Sequence, residues 1–431
     1  MATDAPKLER KLGLLETTVG GIGIILGAGI YVLVGEVAGQ AGNALWISFL
    51  MAAGMAAVVG LGYAELVSAF PRAGADYEYT REALGARIAF VVGWLIVIGN
   101  IVAAAAVALG FGSYLQQFWG VNQTLVGILA LIAATLIAFY GIRESLWTSM
   151  LLTLIEAGGL IFVIAIGLPH IGDVDLTKTA SGTGGIFAGA ALVMFAYVGF
   201  EQIATLAEET HDAPRVIPQA LLFSIAATTA LYLLVAVTAI SVLGWEALAG
   251  SDAPLAAVTS EVLGDRASDV IAVVALFSTA NTLLLLLVAA SRLIYGMASS
   301  GSLPRFLAWV HPSSHTPVRA IALSLVVSIG FVLSGDIALI AGATNFAVFI
   351  GFAAVNLSLI VLRFTQPDVP RPFRTPLNIG RFPILPVVAL ASVAFLMANL
   401  ELDALLIGVA LLVSGLVAME MLSLWRPADA Q

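Results

Sequence analysis

The sequence predicts an all-α polytopic membrane protein of twelve transmembrane helices, the first and sixth of them discontinuous. Three observations carry that prediction. Of 431 residues, 60% are hydrophobic and only 10% charged, with a mean hydropathy of +1.04; a soluble domain of that composition could not solvate its surface. The apolar residues fall into twelve runs, most of them near the ~20 residues a helix needs to cross hydrocarbon. Finally, two of the runs are interrupted at mid-length by residues that loosen the backbone. Backbone in lipid must satisfy its own hydrogen bonds, so such a break is tolerated only where it is buried or lines a cavity.

A short tail, 1–14, precedes the first run and has no small-residue cleavage site, so it reads as retained rather than as a signal peptide. The first run, 15–38, contains Gly20, Gly21, Gly23, Gly27 and Gly29 in the string GGIGIILGAGIY. Runs at 43–67, 86–117, 122–140 and 147–168 follow; Glu65 closes the second and Glu156 lies near the middle of the fifth. The sixth, 185–207, is interrupted at FAYVGFEQ, Phe195 to Gln202. After the seventh run at 216–243, a long loop includes Ala253 to Ala267, which would form a short helix over the mouth of the protein. The eighth run spans 270–298, the ninth is short at 320–334, and the tenth spans 337–362. Pro367, Pro370, Pro372 and Pro376 make the next stretch an extended connector, and runs at 382–398 and 404–424 complete the set before a tail at 425–431.

Basic residues set the orientation. With the N-terminus in the cytoplasm, sixteen of the eighteen lysines and arginines fall on the inside and only Lys178 and Arg266 outside. That positive-inside bias supports the count of runs, because one missed span would invert everything after it. It places both termini in the cytoplasm of a multi-pass plasma-membrane protein. The net charge of −9 comes from acidic residues concentrated on the outside, among them Asp173, Glu246, Asp265, Asp336 and Glu401. Ordinary variation and a high-salt habitat both account for it. The absence of cysteine excludes disulfides, thiol catalysis and cysteine metal sites. His170, His211, His311 and His315 all lie in loops, and no nucleophile, phosphate-loop or zinc-protease motif occurs, so neither an enzyme nor a nucleic-acid binder is expected.

The breaks carry the chemistry. Unwinding at Gly27–Gly29 would free the amides of Ala28, Gly29 and Ile30 at the positive start of a half-helix, a site for an anion such as a carboxylate. The glycines alternatively serve close helix packing. At the second break, Phe195, Ala196, Tyr197 and Val198 would leave carbonyls without helical partners, which suits an ammonium group; the aromatic side chains alternatively pack. One break for carboxylate and one for ammonium describes a site for a zwitterion, an α-amino acid. The first break lies in runs one to five (15–168) and the second in runs six to ten (185–363). Because five is odd, the second set starts on the opposite side, as in two inverted repeats. The last two runs, 382–424, are an addition.

The strings GIGIILGAGIYVLVG (21–35), YAELVSAFPRAGADYEYTREALG (63–85), FAYVGFEQIATLAEET (195–210), SRLIYGMASSGSLPRF (291–306) and HTPVRA (315–320) occur in an order that resembles the amino acid–polyamine–organocation (APC) permeases, with the LeuT-type five-plus-five fold. The resemblance covers nearly the whole chain. It implies a substrate carboxylate on Gly27, Ala28 and Gly29, flanked by Ile25 and Ile30. It likewise implies an amino group on the carbonyls of Phe195, Ala196 and Val198, with Tyr197 and Phe200 walling the pocket. In proton-coupled members the Glu156 position holds a lysine, and this chain departs from that pattern. Sodium-coupled members use the spacing of Ala275, Ser278 and Thr279, which share one helix face, together with carbonyls here at Gly23 and Leu26. The coupling ion is therefore Na+ at Gly23, Leu26, Ala275, Ser278 and Thr279 with Glu156 nearby, or H+ on Glu156. Alternatively the two hydroxyls bond back to their own helix. Cation-selective members carry an acidic residue in the third span, where this chain has none between Gly93 and Ala104, so the resemblance favours a neutral amino acid. Glu201 is the carboxylate placed to supply such a charge instead. Asn100 is a candidate substrate contact, or else an interhelical hydrogen bond.

The expected function is an ion-coupled symporter working by alternating access, with lipid and a small amino acid as its partners, no cofactor and no obligate protein partner. The alternatives within transport are an amino acid or polyamine exchanger and a proton-coupled cationic permease. A sensor would need a cytoplasmic output element, and the chain ends shortly after Leu424.

Overall fold

The computed structural model describes residues 12–71, 75–140, 146–299, 301–312, 314 and 316–424. The expectations for the tails at 1–11 and 425–431, for Arg72 and Arg143, and for His315 lie outside the described residues.

Helix covers all twelve apolar runs. The first is divided into α1 (Leu14–Leu26) and α2 (Gly29–Ala41), followed by α3 (Leu45–Ala69), α4 (Ala75–Leu84), α5 (Ala86–Trp119), α6 (Gln123–Tyr140) and α7 (Leu146–Gly167). The second half runs α8 (Gly182–Tyr197), a 3-10 segment Phe200–Glu208, α9 (Ala213–Ala249), α10 (Pro254–Leu263), α11 (Asp265–Ser299), α12 (Val318–Val332) and α13 (Ile337–Thr365). α14 (Ile384–Met397) and α15 (Leu402–Leu424) close the chain. Among the described residues, eight helical stretches are long and apolar enough to cross a membrane, and α6, α12 and α14 are shorter apolar helices. Leu125, Leu129 and Leu136 on α6 and Val409, Val413 and Val417 on α15 point outward. Apolar faces of that extent need lipid or a partner against them.

The helices sort into two bodies. α1, α2, α3, α8 and α9 pack on one another, whereas α5 packs on α6, α11 and α12. α7 touches both groups, and α13 crosses between α5 and α8 while holding α14 and α15 on its outer side.

Three differences from the sequence reading have physical causes. α4 has no counterpart among the predicted elements because it is polar; Asp76 and Glu78 in its first turn and Arg81 in its last match the helix dipole. α10 is shorter than 253–267 because Gly264, at φ 83°, ends it and Asp265 begins α11. The second break, expected around Ala196, falls two residues later. Val198 still donates its amide to the Met194 carbonyl at 3.1 Å, and the chain turns at Gly199, whose φ of 119° only glycine adopts readily.

Glu65, near the end of α3, meets two arginines. Its carboxylate, fully buried, accepts from Arg363 Nε at 2.8 Å, from Arg363 Nη2 and from the Thr375 amide at 2.8 Å. Arg371 lies 3.5 Å away and donates to the carbonyls of Leu362, Gln366 and Val369. Burial lowers the Arg371 pKa while Glu65 opposes the shift. This cluster fastens the proline-rich connector to the ends of α3 and α13.

Candidate functional site

The two breaks cross in direct contact. A Cβ placed on Gly29 would come within 2.5 Å of the Ala196 Cα, and one on Gly199 within 3.0 Å of the Ile24 carbonyl oxygen. Only glycine permits that approach. Beside the crossing, the Tyr232 hydroxyl of α9 lies 2.9 Å from the Ile25 and Leu26 carbonyls and 3.1 Å from the Ala196 carbonyl. One phenolic proton thus faces three acceptors from both broken helices, which leaves acceptor capacity for a further donor. The Tyr232 ring is held edge-on against Phe49 and Tyr197. The far ends of the same helices are also joined: Leu12 donates to the Glu209 carbonyl at 3.0 Å, and the His211 amide donates to the Leu12 carbonyl at 2.9 Å.

The donor side differs from the expectation in one amide. Ala28 N–H is not free; it donates to Thr282 Oγ1 of α11 at 3.1 Å. Gly29 and Ile30 open α2 in the turn whose amides precede the helical ladder; the Val32 amide is the one that reaches back to the Ala28 carbonyl, at 3.0 Å. They stand at the positive end of a thirteen-residue helix.

The proposed ion ligands divide. Thr279 Oγ1 bonds back to the Ala275 carbonyl at 2.7 Å, and the Leu26 carbonyl is taken by Tyr232. Gly23 is so close to α7 that a Cβ would overlap the Thr153 side chain. Ser278 Oγ and Glu156 Oε1, by contrast, are buried oxygens with no other protein partner, and the two side chains interact with one another across α11 and α7. An all-oxygen pair suits a hard cation or a proton, and the Thr279 hydroxyl, which donates, and the Leu26 carbonyl, which accepts one bond, both keep lone pairs. Among the described residues no cluster of three or more His, Asp or Glu side chains could hold a metal ion.

Other candidates are committed elsewhere. Asn100 turns its amide onto the Ile96 carbonyl of its own helix at 3.0 Å. Glu201 accepts from the Gly199 amide at 2.9 Å and thereby caps the second break instead of pointing a free charge at the pocket. Phe200 is fully buried with its ring 5.9 Å from Tyr63 and 5.1 Å from Phe352. Phe195 is nearly buried, and Val198 is partly exposed. The Tyr197 hydroxyl is buried against the Thr229 side chain. Below the second break, Asp76 of α4 faces Tyr63 and Glu201, and burial raises its pKa to about 6.

Sequence reasoning missed Tyr232, Thr282 and a tyrosine relay. Tyr114 donates to the Tyr31 carbonyl at 2.9 Å, and Tyr31 donates to the Glu156 carbonyl at 3.0 Å, joining α5, α2 and α7. The available signal was simply a lone hydroxyl in an apolar run, since a buried tyrosine O–H usually finds a partner.

The family model described as amino acid permease matches residues 12–417. A branched-chain amino acid permease of Bacillus subtilis is 30% identical over 424 residues, covering 93% of this chain and 90% of the relative. A transporter of Mycobacterium tuberculosis is 31% identical, with 96% and 91% covered. A vacuolar cationic amino acid transporter of Arabidopsis thaliana is 29% identical, with 85% and 65% covered.

Proposed function

The chain belongs to the amino acid permease family, and from that premise we propose that it is a plasma-membrane symporter that moves a neutral amino acid by alternating access. Twelve spans arranged as two inverted five-helix repeats, 15–168 and 185–363, hold the site, with 382–424 added and both termini cytoplasmic. The carboxylate sits on the amides of Ala28, Gly29 and Ile30 between Ile25, Gly27 and the start of α2. The ammonium group sits on the carbonyls of Phe195, Ala196 and Val198, with Tyr197 beside it. The observation that carries this reading is the crossing of the two breaks with three carbonyls gathered on one Tyr232 proton. It brings the Ala196 carbonyl, one of the three ammonium acceptors, next to the positive start of α2.

The body formed by α1, α2, α3, α8 and α9 moves against the one built on α5, with Glu156 and Ser278 taking the coupling ion, Na+ or H+. Ten of the thirteen residues of α2 are buried but only four of the thirteen in α1, which supports closure above the breaks and a looser path below them. Neutral selectivity follows from the absence of a carboxylate between Gly93 and Ala104 and from the engagement of Glu201 with Gly199. The branched-chain substrate in the name of the Bacillus relative agrees with it.

Reconstituted in proteoliposomes, the protein is expected to accumulate labelled leucine under either a sodium or a proton gradient, and Glu156→Gln to abolish that gradient dependence. Uptake that ignores both gradients would make it an exchanger, and arginine as the preferred substrate would overturn neutral selectivity.

A further inference from the structure

Thr282 stands apart from its neighbours on α11. Thr279 and Ser291 turn their hydroxyls back onto carbonyls of their own helix at 2.7 and 2.8 Å, the ordinary behaviour of such residues in an apolar helix. Thr282 instead turns off the helix and accepts from the Ala28 amide at 3.1 Å, its hydroxyl placed 3.0 Å from where a Gly27 Cβ would be. A side chain at position 27 would crowd this hydroxyl. The bond joins the two bodies of the fold, because α11 packs on α5 whereas α1 and α2 pack on α8 and α9. It also lands on one of the three amides assigned above to the substrate carboxylate.

We propose that the Thr282 hydroxyl and the substrate carboxylate compete for the Ala28 amide, so that carboxylate binding releases the broken helix from α11. This rests on the carboxylate seat of the preceding subsection. A single N–H cannot fully serve two oxygens. The carboxylate, being charged, makes the stronger bond, yet what it gains is reduced by the bond it displaces. Thr282 thus acts as a positioning residue that trades affinity for a mechanical link between substrate arrival and freedom of the two bodies.

The test compares two probes in detergent-solubilised protein: leucine, and 3-methylbutylamine, which is leucine without its carboxylate. Thr282→Val keeps the shape and removes the competitor, leaving an amide that only a ligand can satisfy. Leucine should then bind about three- to tenfold more tightly, the equivalent of one hydrogen bond. The amine should bind as it does to wild type, and Thr282→Ser should restore wild-type leucine affinity. Leucine binding that is unchanged or weaker in Thr282→Val, or a parallel shift for both probes, overturns the competition. A wild-type protein that binds neither probe overturns the neutral amino acid reading itself, and this proposal with it.

Discussion

Replacing Tyr232 by phenylalanine removes one oxygen and leaves the ring in its contacts with Phe49 and Tyr197. The carbonyls of Ile25, Leu26 and Ala196 then face one another with no donor among them, since the hydroxyl 2.9–3.1 Å away was their shared proton source. Leaving buried acceptors unsatisfied costs about 1–3 kcal/mol. At roughly 2.1 cal/mol/K per residue the unfolding entropy of a chain this long is about 0.9 kcal/mol/K, so the melting temperature should fall by about 1–3 °C. An ammonium group bound at Ala196 would supply a replacement donor. Saturating leucine should therefore recover most of the loss, and the leucine-induced rise in melting temperature, followed by tryptophan fluorescence, should be larger in Tyr232→Phe than in wild type. An equal deficit with and without leucine would refute the assignment of the Ala196 carbonyl to the ammonium group, and no deficit at all would refute the tie between the breaks.

Two further perturbations address the supports of the site. Burial holds the Asp76 pKa at about 6, above its ordinary 3.8. Its ionisation therefore opposes folding, with no effect below the unfolded value and the full effect above the folded one. Asp76→Asn should raise thermal stability at pH 8, with a gain that shrinks as the pH falls through 6 and vanishes near 4; a gain independent of pH would exclude a charged Asp76 as its source. Glu65→Gln leaves Arg363 and Arg371 buried without their counter-charge and should destabilise by about 3–5 kcal/mol, as broken buried ion pairs do. In the double variant with Arg363→Gln, part of that loss should return in chemical denaturation. Additive losses would mean that the pair is not coupled.

The helices and their breaks were legible where the physics behind them is local. A run of apolar residues must be helix in lipid, and GGIGIILGAG cannot remain one for its whole length, so the first break could be placed at Gly27 from the string itself. The second was placed two residues early because Phe195, Ala196 and Tyr197 are all compatible with helix, and only Gly199, with its positive φ, stops it. Helix periodicity put Ala275, Ser278 and Thr279 on one face, and the alternative that the hydroxyls bond back to their own helix is what Thr279 does on Ala275. Asn100 bonds the Ile96 carbonyl and Glu201 the Gly199 amide, because a polar side chain beside a free amide or carbonyl takes the nearest partner.

By itself, then, the sequence determined what composition and periodicity control: an apolar helical chain, the location of its runs, the existence of two breaks and the order of its motifs. The tertiary structure decided which groups from distant positions satisfy one another. Tyr232 is more than two hundred residues from Ile25, and Thr282 lies 254 residues from Ala28. Neither bond leaves a trace in local pattern, because a hydroxyl in an apolar run announces only that it needs a partner. Which partner it finds depends on two glycine breaks crossing closely enough to leave carbonyls and one amide within its reach.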